Sequence, residues 1–265
     1  MAYAFFAAAV ILLFTVGAAL QSAYGSYGVI ASEVLCIFVP ALVFRRLTDV
    51  EWPTLRRLRV KPASVLLIVV ASAVVGLAAN LLAALMIDVI PSLGEMAETY
   101  RHQIEQLLQP DDPLRMAVGI VAVCVVAPLC EEFLFRGTML PGQREHHPAW
   151  AAIAVNGLLF SALHVNPMGF VSLFVVGVFL AWLVVRTESL WTSIIAHAAF
   201  NTANGVLLPA LAGGIARADK QPPLTDILTA LAVVLPIAGG LWFLLARTLR
   251  PDHAHDSQHH AHSGN

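Results

Sequence analysis

Long apolar runs separated by short polar segments occupy most of the chain. The runs lie at roughly 4–21, 27–44, 64–88, 115–140, 149–165, 167–185, 190–210 and 224–246. A helix that crosses a bilayer needs about 20 predominantly apolar residues, so the pattern predicts about eight spans. Between the third and fourth runs, apolar positions recur on one side of residues 92–109, which predicts an amphipathic helix at the membrane surface. We therefore predict an all-α, polytopic transmembrane helical bundle.

Composition agrees with a membrane protein and excludes one class of partner. Charged residues make up 12% of the 265 residues and the formal net charge is −2, whereas a soluble domain has roughly 25% charged residues. The chain has no basic tract and no nucleic-acid recognition motif. We expect the lipid bilayer as a partner, and no nucleic acid.

Loop charges predict the orientation of the spans. Six basic residues lie within 45–61, after the second run, and five acidic residues lie within 95–112, after the third. Short loops rich in Lys and Arg stay in the cytoplasm. We predict a multi-pass protein of the cell's inner membrane with both termini cytoplasmic; Arg217 and Lys220 are the discordant pair.

Few ionisable side chains interrupt the apolar runs. Ionisable groups inside a bilayer are costly and by default indicate function. Glu33 lies alone near a span end, where a protonated or hydrogen-bonded carboxyl is the simpler interpretation. The others form a set: Glu131, Glu132 and Arg136 in "CEEFLFRG", His164 in "FSALH", and His197 with Asn201 in "HAAFN".

The spacing of the glutamates gives them different roles. Glu132 and Arg136 are four residues apart, the spacing of an ion pair on a helix. Glu131 points about 100° away from Glu132, so we expect it to be free for chemistry. If the fourth span runs to about residue 142, Glu131 lies in one layer with His164, His197 and Asn201, by a rise of about 1.5 Å per residue.

A carboxylate and two imidazoles buried together can activate water. Glu131 could act as a general base on a water held by His164, His197 and Asn201, or these four residues could bind Zn²⁺ or another divalent metal that acidifies the water. The sequence lacks H-E-x-x-H and G-x-S-x-G, which disfavours zinc site-two and serine chemistry. Spacing alone leaves a hydrolase and a proton-coupled transporter both open.

Three motifs in order resemble a known family. "EEFLFR" fits E-E-x-x-x-R, "FSALH" fits F-x-x-x-H and "HAAFN" fits H-x-x-x-N. Together, over residues 115–210, they resemble the CAAX prenyl endopeptidase and bacteriocin-processing (CPBP, or Abi) family of intramembrane proteases. The resemblance implies an endopeptidase that cleaves a membrane-anchored peptide or protein. A non-catalytic immunity or scaffold protein is the alternative within this resemblance.

The resemblance also implies residue roles. Glu131 is implied as the water-activating base, and His164, His197 and Asn201 as the groups that hold the water or a metal and stabilise the oxyanion. Glu132, Arg136 and Phe160 take supporting roles. The family is described both as metalloprotease and as glutamate-dependent, and these residues leave that choice open.

The motifs suggest four parts of the chain. Residues 1–114 hold the N-terminal spans and the amphipathic helix, 115–210 the catalytic core, and 211–250 the last span. Residues 251–265 form a tail predicted to be disordered. Its histidines could bind a metal; they are His253, His255, His259, His260 and His262.

The predicted orientation can be tested by labelling. Single cysteines introduced at Gln103 and Gln258, after replacement of the three native cysteines, should react with a membrane-impermeant reagent from opposite sides. The reason is that the acidic and basic loops alternate across the membrane. Labelling of both positions from one side would contradict the topology.

Overall fold

The computed structural model describes residues 2–48, 58, 60–108, 112–211 and 222–249. The described residues form nine long helices and no β-strand. The helices are α1 (Tyr3–Tyr24), α2 (Ser26–Leu47), α3 (Pro62–Val89), α4 (Leu93–Leu108), α5 (Pro113–His146), α6 (Ala149–Leu163), α7 (Phe170–Thr187), α8 (Leu190–Leu211) and α9 (Leu224–Thr248).

The all-α polytopic fold is confirmed, with one difference in the spans. Among the described residues, seven helices are long and apolar enough to cross a membrane: α1, α2, α3, α5, α7, α8 and α9. The predicted fifth span is the shorter helix α6, whose 15 residues extend only about 22 Å, less than the ~30 Å of a bilayer core. It stops early because Val165 takes a left-handed backbone, with φ of 43°, and Pro167 disfavours helix at the residue before it.

Two other predicted features have different outcomes. Helix α4 is present over almost the range predicted for the amphipathic helix. The histidine-rich tail at 251–265 lies outside the described residues, as does much of the basic segment after α2.

The bundle has two halves, each with its own apolar core. In one half, α3 packs against α7, α8 and α9, around Ile68, Val75, Phe179, Leu183 and Leu245. In the other half, α5 packs against α2, α6 and α8. The second core has no charged member, although α5 carries three charged side chains through it.

Two glycines bring α6 and α7 into backbone contact. A Cβ atom placed on Gly177 would lie 2.8 Å from the Cα atom of Gly157. Small residues permit this close approach where lipid supplies no hydrophobic force between helices. The contact matters for the site because it sets where the carbonyl of Gly177 faces α5.

A matched pair of Gly→Ala variants tests this contact. Gly177→Ala should lower the free energy of unfolding by roughly 1–3 kcal/mol, because the added methyl group overpacks a backbone contact. Gly239→Ala, in α9, meets nothing within 4 Å and should be neutral or slightly stabilising, since alanine favours helix. Thermal unfolding in detergent measures both, and equal shifts in Tm would contradict the packing.

Candidate active site

Helix α5 carries the paired glutamates through the middle of the bundle. The side chain of Asp112 caps its first turn by accepting hydrogen bonds from the backbone N–H groups of Leu114 and Arg115. The helix then continues for 34 residues without a break, past the glutamates and past Pro141. Glu131 lies about 27 Å along the axis from the first residue. The glutamates therefore lie inside the span rather than at its end.

The turn after the glutamates is π-helical and closely packed. Residues Phe133–Met139 form this segment, and all of its members are buried. The hydroxyl of Thr138 donates a hydrogen bond to the carbonyl of Phe133, five residues earlier, at 3.0 Å. Wider turns of this kind occur frequently at functional sites. Here the turn holds Arg136 in the protein interior rather than at the lipid surface.

Arg136 and Glu132 form a fully buried ion pair. The guanidinium Nη1 lies 2.8 Å from Glu132 Oε1, and both side chains have 0% exposure. Nη2 of Arg136 donates to the carbonyl of Gly177 on α7 at 2.8 Å. The guanidinium carbon also lies 4.7 Å from the ring centre of Phe160 on α6. One cation thus connects three helices, in a setting where an unpaired charge would be very costly.

His197 joins the ion pair rather than Glu131. Its Nδ1 lies 2.9 Å from Glu132 Oε1, the same oxygen that accepts from Arg136. Because that oxygen belongs to a carboxylate paired with a cation, Nδ1 carries the proton and donates it. A partner that fixes one ring nitrogen defines the role of the other. Nε2 of His197 is therefore the atom left for chemistry.

Glu131 faces His164, at the end of the short helix α6. Glu131 Oε2 and His164 Nε2 are 3.9 Å apart, and the two side chains are 11% and 30% exposed. Nδ1 of His164 lies 2.8 Å from the carbonyl of Phe160, so Nδ1 is the donor and Nε2 presents a lone pair. Glu131 Oε2 has no hydrogen-bond partner among the described residues. Of the two adjacent carboxylates, only that of Glu132 is paired with Arg136 and His197.

Phe160 lies at the centre of the cluster. Its ring centre is 4.8 Å from that of His164, 5.6 Å from that of His197 and 5.2 Å from that of Phe135. Its exposure is 1%. The ring of Phe160 therefore contacts both imidazoles. The motif alone had suggested only a supporting role for this residue.

Asn201 lies apart from these contacts. Its side-chain amide donates to the carbonyl of Val123 on α5 at 2.7 Å, and Val123 lies eight residues before Glu131. The structure therefore brings together Glu131 with His164, and Glu132 with Arg136 and His197. The hydrogen bond of Asn201 instead joins α8 to an earlier turn of α5.

The described residues include no ready-made metal cluster. In that part of the chain, no group of three or more His, Cys, Asp or Glu side chains is arranged to hold a metal ion. A zinc ion needs three or four such ligands at about 2.0–2.3 Å. Nδ1 of His197 and the amide of Asn201 are engaged by Glu132 and Val123, while Nε2 of His197 is not. Metal binding by His164, His197, Asn201 and Glu131 therefore stays a prediction.

Sequence reasoning missed one carboxyl beside the site. Glu33 on α2 is 8% exposed and lies close enough to Glu131 for their carboxyl groups to interact electrostatically. The sequence did indicate that Glu33 could be functional, because burying a glutamate in an apolar span costs free energy. The pairing was not foreseeable, because nearly 100 residues separate the two positions.

Comparison with known protein families agrees with the motifs. Residues 113–203 match the family model described as type II CAAX prenyl endopeptidase Rce1-like. The resemblance to the CPBP family is confirmed. The matched segment covers α5, α6, α7 and most of α8, and so includes every site residue predicted from the motifs. Neither the curated proteins nor the solved structures include a significant match to the chain.

The Rce1-like match and the apolar helices together characterise the protein at a coarse level. The chain is an integral membrane protein, and its residues 113–203 are similar to type II CAAX prenyl endopeptidases of the Rce1-like kind.

The buried ion pair should control stability. Arg136→Ala and Glu132→Ala should each cost roughly 3–5 kcal/mol, because each leaves a buried charge without its partner. The double variant Glu132→Leu with Arg136→Met should cost much less than the sum. Thermal and denaturant unfolding in detergent measure these differences.

An exposed ion pair provides the matched control. Arg115 lies 3.4 Å from Asp112 at the surface, with side-chain exposures of 58% and 48%. Arg115→Ala should change stability by about 0–1 kcal/mol. A fully stable Arg136→Ala protein would show that the buried pair has no structural role.

Proposed function

We propose that the protein is an intramembrane endopeptidase in which Glu131 activates the attacking water. One observation carries the proposal: Glu131 Oε2 is a buried carboxylate oxygen without a hydrogen-bond partner among the described residues, and it faces His164 Nε2 at 3.9 Å. Oε1 of the neighbouring Glu132 already accepts from Arg136 and His197, and that side chain has 0% exposure, so Glu132 is not the proposed base. The alternatives to this function are a non-catalytic membrane scaffold and a proton-coupled transporter.

The separation of the two atoms suits a shared water. At 3.9 Å they are too far apart for a direct hydrogen bond. A water bonded to both atoms at about 2.8 Å would subtend roughly 90° at its oxygen, close to the angle between its own two O–H bonds. Both atoms are acceptors, so the water donates to both and points its lone pairs away from them. Such a water is oriented for attack.

The chemistry follows from these roles. Glu131 takes one proton from the water while the water oxygen bonds to the carbonyl carbon of the substrate. The same carboxyl then gives that proton to the amide nitrogen as the C–N bond breaks. His164 holds the second hydrogen of the water. The donor set favours activation by Glu131 itself over activation by a bound divalent metal.

His197 and Asn201 are the proposed oxyanion side of the site. Nε2 of His197 remains for the substrate because Nδ1 is held by Glu132. To donate to the oxyanion, Nε2 must carry a proton in addition to the one that Nδ1 donates to Glu132. Asn201 would exchange its hydrogen bond to Val123 for one to the developing oxyanion. A donor aimed at the oxyanion contributes about 3–4 kcal/mol to lowering the barrier.

The proposed substrate is a membrane-anchored peptide. Glu131 and His197 are buried, and His164 at the end of α6 is the exposed member of the site, so the site suits an extended peptide better than a folded protein. A peptide with a lipid or a transmembrane tether gains local concentration at the membrane, and its unfolded segment offers a free scissile bond. The family model that matches residues 113–203 is that of CAAX prenyl endopeptidases, which makes a lipidated C-terminal peptide the first choice. We place the protein in the inner membrane with both termini cytoplasmic.

A reconstituted protein tests the activity. It should hydrolyse a peptide that carries a prenyl or other hydrophobic tail, and Glu131→Gln should lower kcat at least ~10²-fold, because general base catalysis is lost without a change in shape. Glu145→Gln, an exposed glutamate at the end of the same helix, is the matched control and should keep full activity. Hydrolysis unchanged in Glu131→Gln would reject the proposed base.

The same assay separates the substrate class from the chemistry. A peptide of identical sequence without the tail should be cleaved far more slowly, since it lacks the tether. Equal rates on both peptides, with Glu131→Gln inactive, would keep the protease and reject the membrane-anchored substrate. Absence of cleavage by the wild type would favour the scaffold or transporter.

A further inference from the structure

Helix α2 brings another buried carboxyl to the proposed active site. Glu33 begins the π-helical segment Glu33–Phe38 of α2 and is 8% exposed. One turn later, Ile37 packs in the same apolar core as Cys130 and Leu134 of α5. The side of α2 that carries Glu33 therefore faces the turn of α5 that carries Glu131.

Among the residues that the structure describes, no cation is recorded beside Glu33. Its carboxyl interacts electrostatically with that of Glu131, and the thiols of Cys36 and Cys130 are its other titratable neighbours. Arg136 is already paired with Glu132. Oε2 of Glu33 and Oε2 of Glu131 each lack a hydrogen-bond partner within the described ranges.

Two neighbouring buried carboxyl groups favour a state in which only one of them is ionised. Neighbouring negative charges repel strongly where the dielectric constant is low. Two carboxylates that share a site therefore hold one proton between them. Arg136 acts electrostatically on Glu131, and no such contact is recorded for Glu33 among the described residues, so we assign the charge to Glu131 and the proton to Glu33.

We propose that Glu33 is a positioning residue that holds this shared proton and donates it in a hydrogen bond to the carboxylate of Glu131, directly or across one water. The hydrogen bond keeps Glu131 charged inside the bundle and turns its second oxygen toward His164. The inference rests on the proposed role of Glu131 as base. It assigns a function to a residue outside the three motifs and outside the segment that matches the family model.

Two substitutions distinguish a hydrogen-bond donor from a structural carboxyl. Glu33→Gln keeps a donor at the same length and should retain kcat within about threefold. Glu33→Leu removes the donor and should lower kcat at least ~10-fold with KM nearly unchanged, because a misplaced base slows the chemical step rather than binding. Leucine suits an apolar core, so the variant should unfold at or above the wild-type temperature. Cys36→Ala, one turn away and fully buried, should match the wild type.

Each kinetic outcome decides the inference. Wild-type kcat in Glu33→Leu would overturn it, and so would equal losses in both Glu33 variants, since a donor alone would then be insufficient. A change confined to KM would assign Glu33 to substrate binding instead. If Glu131→Gln is inactive while Glu33→Leu is fully active, the proposed function stands and this inference fails.

Infrared spectroscopy tests the proton without any substrate. The wild-type protein near neutral pH should show the carbonyl stretch of a protonated carboxylic acid, shifted by exchange into D₂O. The band should disappear in Glu33→Gln and remain in the exposed control Glu145→Gln. Persistence of the band in Glu33→Gln would overturn the inference, whatever the fate of the proposed activity.

Discussion

The buried guanidinium of Arg136 is the constraint on which the rest of the site depends. A cation with 0% exposure inside a membrane bundle persists only if several groups compensate for its lost hydration. Glu132 supplies the charge, the carbonyl of Gly177 a second acceptor, and Phe160 the face of an aromatic ring. These partners lie on three different helices. The need to surround one charge therefore fixes α5, α6 and α7 relative to one another, and Glu132 extends the same network to His197 on α8.

This network explains why two adjacent glutamates behave differently. Successive residues of a helix point about 100° apart, so only Glu132 can face Arg136 and His197. Glu131 is turned toward α2 and the end of α6, where it meets Glu33 and His164. The ion pair engages Oε1 of one carboxylate and leaves the other carboxylate facing His164. Within a single helical turn, Glu132 thus stabilises the packing of the helices and Glu131 is the proposed base.

The site also carries polar atoms that the protein fold does not satisfy. Four atoms here have no hydrogen-bond partner in the described part of the chain: Oε2 of Glu33, Glu131 and Glu132, and Nε of Arg136. Unsatisfied buried polar atoms are rare in proteins, and each calls for a reason. A membrane bundle that served only as a scaffold could replace them with apolar side chains at a gain in stability. Their presence is consistent with a site built to hold water and a peptide bond.

Apolar periodicity and the cost of charge in a bilayer allowed much of this molecule to be predicted from its sequence. The helical bundle, the long fourth span, the Glu132–Arg136 spacing and the motif residues follow from local rules of length and register. Four features do not follow from local rules. They are the short α6, the hydrogen bond between His197 and Glu132, the hydrogen bond from Asn201 to Val123, and the proximity of Glu33 to Glu131. They depend on which helices pack together, and that choice is made by side-chain shape, by the Gly157–Gly177 contact and by the demand of one buried cation for partners. Local sequence determined which residues could do chemistry here, and only tertiary packing decided which of them meet.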